Sequence, residues 1–192
     1  MKRDQKEKSC SPKERKNKGA RLILSLSELE RWRAKCRQEG KRVVFTNGCF
    51  DLLHPGHVWL FYLARKLGEV LIVAVNSDSS LRKLKGPSRP IFRLKERLEI
   101  LAAIDAIDVL TVFKEDTPKK IISLLQPDIL VKGGDWPPDR VVGREEVEAA
   151  GGRVVIIPYL PGLSTSQLLQ KISQSKKEKN PFLEDKGFDR AF

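Results

Sequence analysis

Cysteine, histidine and methionine are scarce in this chain: three, two and one in 192 residues. Cys10, Cys36 and Cys49 form no C-x-x-C pair, which argues against a zinc site or a disulfide framework and for a reducing compartment. The N-terminus lacks the apolar core of a signal peptide, and no apolar run approaches the roughly 20 residues needed to span a bilayer. These absences lead to the expectation of a soluble cytoplasmic protein with no membrane partner and no protein-held metal. There is no Gly-x-x-x-x-Gly-Lys-Ser/Thr loop, against a P-loop enzyme. No Gly-x-Gly-x-x-Gly follows a strand, against a conventional NAD site. Acidic side chains are also in deficit, 25 against 37 Lys and Arg, for a net charge of +12.

The placement of that charge matters. Residues 1–20 hold eight basic and three acidic side chains and almost nothing to bury, so they read as a disordered basic tail. Residues 173–192 are polar, without periodicity, and read as a flexible tail. Between them, residues 21–172 form one domain of ordinary size. Its remaining positive charge suits a polyanion such as a nucleoside triphosphate, suits RNA, and is equally compatible with a solvated basic surface.

The stretch from Val43 to His57 organises the rest. Val43-Val44-Phe45 reads as a buried strand, Asn47-Gly48 as the turn that ends it, and Pro55-Gly56 as the opening of a helix over residues 56–67. His54 and His57, the chain's only histidines, therefore sit at a helix start. Unpaired N–H groups and partial positive charge there attract phosphate, and two imidazoles can join them.

Elsewhere strands and helices alternate. Ser27-x-x-Glu30 reads as a capping box before a helix ended by Gly40. Strands are expected over Val70–Val75, Asp108–Phe113, Ile129–Val131 and Val154–Ile157. Helices are expected over Leu94–Ile104, over 118–125 with Thr117 as cap, over Arg144–Ala150, and over 167–172 behind a second box, Ser164-x-x-Gln167. The expected architecture is an α/β three-layer sandwich, Rossmann-like, with a mostly parallel five-stranded sheet. Ligand groups collect at the carboxyl edge of such a sheet. Leu81 to Pro90 reads as a basic loop, and spacing alone leaves it as a solvated loop or a phosphate clamp. Lys132-Gly133-Gly134-Asp135 reads as a turn whose glycines also permit close approach of a ligand.

The run Gly48-Cys49-Phe50-Asp51-x-x-His54-x-Gly56-His57 resembles the signature of the HxGH nucleotidyltransferases. With Phe45-Thr46-Asn47 in front, and with Arg89-Pro90-Ile91, Glu115-Asp116-Thr117-Pro118 and Val131-Lys132-Gly133-Gly134-Asp135 behind, it is similar to the heptose-phosphate adenylyltransferase branch. Trp136 stands where that branch more often has Tyr, and Leu163 and Ser166 depart from its Ile-Ser-Thr-Thr type motif.

The resemblance implies adenylyl transfer from ATP to D-glycero-D-manno-heptose 1-phosphate, for lipopolysaccharide core precursors, with Mg²⁺ carried by the nucleotide. It implies catalytic roles for His54, His57 and Lys85. Nucleotide contacts would come from Cys49, Phe50, His54, Gly56, His57, Arg97, Lys132, Gly133, Asp135, Ser164, Thr165 and Ser166. Contacts to the sugar phosphate would come from Asn47, Asp51, Asn76, Lys85, Arg89 and Trp136. Many relatives fuse this domain to a sugar kinase, so a separate heptose kinase upstream is expected here, and a homodimer stays open. Two alternatives stand beside this reading: a cytidylyltransferase for glycerol 3-phosphate or a similar alcohol phosphate, and an RNA-binding module, which would leave the paired histidines unexplained.

Overall fold

The structure, a computed structural model, describes residues 22–134 and 137–158, together with 165, 168, 169, 172 and 174. The expected tail over 1–20 and nearly all of 173–192 lie outside the described residues, as do Asp135, Trp136, Ser164, Ser166 and Gln167. The elements, in chain order, are β1 (Leu22–Leu24), α1 (Leu26–Gln38), β2 (Val43–Gly48), α2 (Pro55–Arg65), β3 (Val70–Asn76) and α3 (Asp78–Lys85). They continue with α4 (Leu94–Ala102), β4 (Val109–Phe113), α5 (Lys119–Leu125), β5 (Ile129–Gly133), α6 (Arg144–Ala149) and β6 (Arg153–Ile157).

One sheet of order β1-β4-β3-β2-β5-β6 carries the fold, and every neighbouring pair is parallel. All five expected strands are present, and a sixth, β1, adds an edge beside β4. Its three residues are too few to show an alternating pattern, so the pairing partner defines it.

The central strand β3 shows why both faces are covered. All seven of its residues are buried. Val70, Ile72 and Ala74 pack with Leu29 and Cys36 of α1, Ile121 and Ile122 of α5, and Val147 of α6. Leu71, Val73 and Val75 pack on the other face with Phe61 and Ala64 of α2 and Leu101 of α4. Side chains alternate sides along a strand, so a continuous apolar run requires a helix layer on each face.

Three local readings change. The capping box of α1 is Ser25 with Glu28, two residues earlier than Ser27-x-x-Glu30: the Ser25 N–H donates to the Glu28 carboxylate at 2.8 Å, and the Glu28 N–H donates to Ser25 Oγ at 3.4 Å. Residues 81–85 belong to α3 rather than to a loop. The Ser77 hydroxyl caps that helix by accepting the Ser80 N–H at 3.2 Å, a signal hidden within Ser77-Asp78-Ser79-Ser80. Thr117 does not cap α5: Pro118 occupies the cap position and no side chain bonds there.

The chain leaves β2 toward β3 on one side, while β5 lies on the other. Open α/β sheets part their loops at such a reversal, leaving a crevice beyond the carboxyl ends of the strands.

Candidate active site

A cavity of about 640 Å³ occupies that crevice. Asn47, Gly48 and Cys49 leave β2 at its floor, and Lys132 and Gly133 end β5 beside them. His54 and His57 enter from the start of α2, and Lys85 from the end of α3.

The two imidazoles stack with centroids 3.8 Å apart and planes inclined by 30°. Phe50 sets their position. It is 5 % exposed, adopts φ 45°, and meets His57 edge-on at 5.5 Å and Phe61 at 5.1 Å. Its ring lies so close over Gly48 that a Cβ there would come within 2.9 Å of it. Phe50, expected at the nucleotide, lines the cavity and is also the wedge under His57.

The His54 backbone N–H donates to His57 Nδ1 at 3.4 Å. An imidazole nitrogen that accepts carries no proton, so the neutral ring holds its hydrogen on Nε2, free to donate. Burial, and then the neighbouring His54, lower His57 to about 4. Burial also lowers His54, whose Nδ1 is buried without a hydrogen-bond partner. Both rings are therefore neutral at pH 7, and each can donate one hydrogen bond without carrying a charge.

Positive charge comes from other residues. Lys132 donates to Asn47 Oδ1, and burial lowers its ammonium to about 8. Lys85 lines the cavity and forms no ion pair among the described residues. Thr165, in a helical segment after β6, lines it too and donates to the Leu52 carbonyl at 3.3 Å.

Several expected contacts have other tasks. Arg97 does not reach the cavity. It is 1 % exposed and donates to the Cys49 carbonyl at 2.5 Å, the Asn76 carbonyl at 2.8 Å and Asp78 Oδ1 at 2.8 Å. It ties the ends of β2 and β3 to α3 from beneath the site. Asp51 is equally committed. It accepts the Ile91 and Phe92 N–H groups at 2.8 and 2.9 Å and pairs with Arg89 at 2.8 Å. Burial pushes its carboxyl up, but these hydrogen bonds outweigh it and hold the group below its usual value. Asp51 and Arg89 line the cavity yet serve first to pin the loop after α3.

Asn76 Nδ2 donates to Ser80 Oγ at 2.8 Å, and Asn76 Oδ1 accepts from Cys49 Sγ at 3.8 Å. Gly56 borders only a small side recess of about 20 Å³ with His54, His57 and Ile157. Lining residues that sequence reasoning missed include Leu84, Phe113, Arg140, Val141 and Val142. Most of these are apolar and carry no phosphate signal, and they lie on separate elements that only the topology collects.

Neutral paired imidazoles at a helix start, lysines around them and a parallel-sheet crevice define a nucleotidyltransferase. Residues 45–171 match the cytidylyltransferase-like family, and the chain belongs to it. It is 54 % identical over 153 residues to the bifunctional protein HldE of Citrifermentans bemidjiense, a match covering 80 % of this chain and 31 % of that protein. It is 49 % identical over 154 residues to the bifunctional protein HldE of Pasteurella multocida, covering 80 % and 32 %. The chain thus spans about a third of the length of these relatives.

Among solved structures, the lipopolysaccharide core biosynthesis protein of Thermoplasma volcanium superposes with a TM-score of 0.52 at 29 % identity, covering 63 % of this chain and 98 % of that one. Pantoate–beta-alanine ligase of Francisella tularensis superposes with a TM-score of 0.57 at 17 % identity, covering 82 % and 77 %, and shares the fold. No helix among the described residues is long and apolar enough to cross a membrane.

Proposed function

We propose that this chain transfers the adenylyl group of ATP to D-glycero-D-manno-heptose 1-phosphate, giving ADP-heptose and pyrophosphate for lipopolysaccharide core synthesis. The observation that carries the reading is the His54–His57 pair, stacked at 3.8 Å in the cavity that also holds Lys85 and Lys132. The resemblance to HldE proteins over most of the chain supports the choice of reaction.

A phosphate oxygen of the sugar attacks the α-phosphorus. A new P–O bond forms there, the bond from the α-phosphorus to the bridging oxygen breaks, and pyrophosphate leaves. The nucleophile is already an anion, so no strong base is required. The enzyme has to bring two anions together and stabilise charge growing on the phosphoryl oxygens. His57 Nε2–H and the His54 ring donate to those oxygens, Lys132 neutralises charge at the crevice floor, and Lys85 draws in the sugar phosphate. Ser164, Thr165 and Ser166 act on the outer phosphates, and Asp135 and Trp136 complete the nucleotide and sugar contacts.

The described residues include no group of three His, Cys, Asp or Glu side chains able to hold a metal, and both Asp51 oxygens are engaged. The donor set does not fit a protein-held Mg²⁺, and the ion travels with the triphosphate. A kinase step supplies the sugar 1-phosphate. Free Cys36 and Cys49, together with the need for ATP, suit the cytoplasm.

One other reading stands beside it, a cytidylyltransferase acting on glycerol 3-phosphate or a similar alcohol phosphate, which the likeness to HldE proteins does not favour. Pyrophosphate release, measured with ATP and CTP each against heptose 1-phosphate and glycerol 3-phosphate, separates the two. The expected result is turnover with ATP and the heptose phosphate. Turnover with CTP and glycerol phosphate alone would replace the proposal.

A further inference from the structure

The cavity has a second lining unlike the one around the histidines. Leu81 and Leu84 come from α3, Phe113 ends β4, Pro118 opens α5, and Val141 and Val142 precede α6. Phe113 and Val141 belong to the core layer on the opposite face of the sheet from α2. This wall is one packed unit. The Ser77 N–H donates to the Phe113 carbonyl at 2.9 Å, Ser80 Oγ donates to the Glu115 carbonyl at 3.1 Å, and Lys83 pairs with Asp116 at 3.2 Å. Gly143, at φ +91°, lies so tightly on Ile122 that no Cβ fits between them, which fixes the approach of Val141 and Val142.

The base of the wall is closed, with Leu81 at 1 %, Phe113 at 2 % and Val141 at 5 % exposure. Its rim is open: Leu84 is 58 % and Val142 41 % exposed, and both face the cavity. The phosphate chain of a nucleotide gains nothing from apolar contacts, which leaves a base or a sugar ring to fill this wall. The wall lines the same cavity as His54 and His57, so a reactant resting on it lies within one space with the two imidazoles. A sugar phosphate carries an anion at one end and an apolar C–H face on its ring. Lys85, next in sequence to Leu84, matches the anion. Arg140, two residues before Val142 and without an ion pair among the described residues, lines the same cavity and matches ring hydroxyls.

We propose that Leu84 and Val142 form the acceptor subsite, closing on the C–H face of a sugar ring whose phosphate rests on Lys85, and that they set acceptor specificity. This rests on the nucleotidyl-transfer reading given above. The test uses the full chain with Leu84→Ser, Val142→Ser and the conservative Leu84→Met. Pyrophosphate release is followed with ATP and acceptor varied separately, and thermal melts check that each variant folds.

The expected result is an acceptor KM raised about tenfold or more in each serine variant, as for a lost apolar pocket contact. The KM for ATP and kcat stay unchanged, and Leu84→Met retains the wild-type acceptor KM. A rise in the KM for ATP instead would make the wall a base pocket and overturn the proposal, as would no change in either KM. If the unaltered protein turns over no sugar 1-phosphate, the proposed function fails on its own account. The subsite is then read by calorimetric binding of heptose 1-phosphate and glycerol 3-phosphate. Binding weakened by Leu84→Ser upholds it, and equal or absent binding overturns it.

Discussion

The start of α2 and the middle of α4 meet the same edge of the sheet, yet one opens into the cavity and the other is sealed beneath it. At α2, two uncharged imidazoles face the space a ligand would fill. At α4, a guanidinium spends three hydrogen bonds on the Cys49 and Asn76 carbonyls and on Asp78. The groups that touch a ligand can be neutral, while a permanent charge is used for holding backbone in place. Arg suits that buried task, because its rigid fork reaches several acceptors at once.

The sharpest way to break this contrast is Arg97→Ala. It leaves two carbonyls and a carboxylate without their donor, so stability should fall by about 3–5 kcal/mol. Urea denaturation measures that loss. Unchanged stability with only a raised KM for ATP would turn Arg97 back into a ligand contact. His57→Ala and His54→Ala should do the reverse. Each is expected to lower kcat by about 10²–10³, by analogy with the loss of an oxyanion-hole donor. The melting temperature should hardly move, and full turnover by the double variant would remove the basis of the proposed function.

Titration sharpens the same comparison. Lys132 is held at about 8, so kcat/KM should fall as pH rises through that value, and Lys132→Met should abolish this limb. His57 is held at about 4 against an ordinary 6.5. Between those values the unfolded chain takes up a proton that the folded chain does not. The fold therefore keeps this contribution above pH 6.5 and loses it as pH drops toward 4, and His57→Ala should flatten that part of a stability–pH curve. The smallest effect is expected far from the crevice. Ser25→Ala removes the cap of α1 and should cost about 1 kcal/mol with kinetics unchanged.

Legibility in the sequence followed the range of the forces involved. Val70 to Val75 is an unbroken apolar run, and its burial on both faces could be read directly. The histidine turn was equally plain, because Pro55-Gly56 after Asn47-Gly48 specifies strand, turn and helix within a dozen residues. Helix α3 was not legible, since Arg82, Lys83 and Lys85 masked an amphipathic segment whose inward residues are only Ser80 and Leu81. The structural bonds of Asp51 and Arg97 were not legible, because charge near a phosphate motif looks alike whether it points outward or inward. Their partners, Ile91, Phe92, Cys49 and Asn76, are 21 to 48 residues away.

What the sequence determined by itself was the alternation of strands and helices and the place of the two histidines at a helix start. Those depend on neighbours a few residues apart. Only the tertiary structure decided that Arg97 lies under the site, that Asp51 holds Arg89 and its loop, and that Leu84 and Val142 share one wall. These outcomes depend on which strand lies beside which, and strand order is set by packing across the whole sheet rather than by any local run of residues.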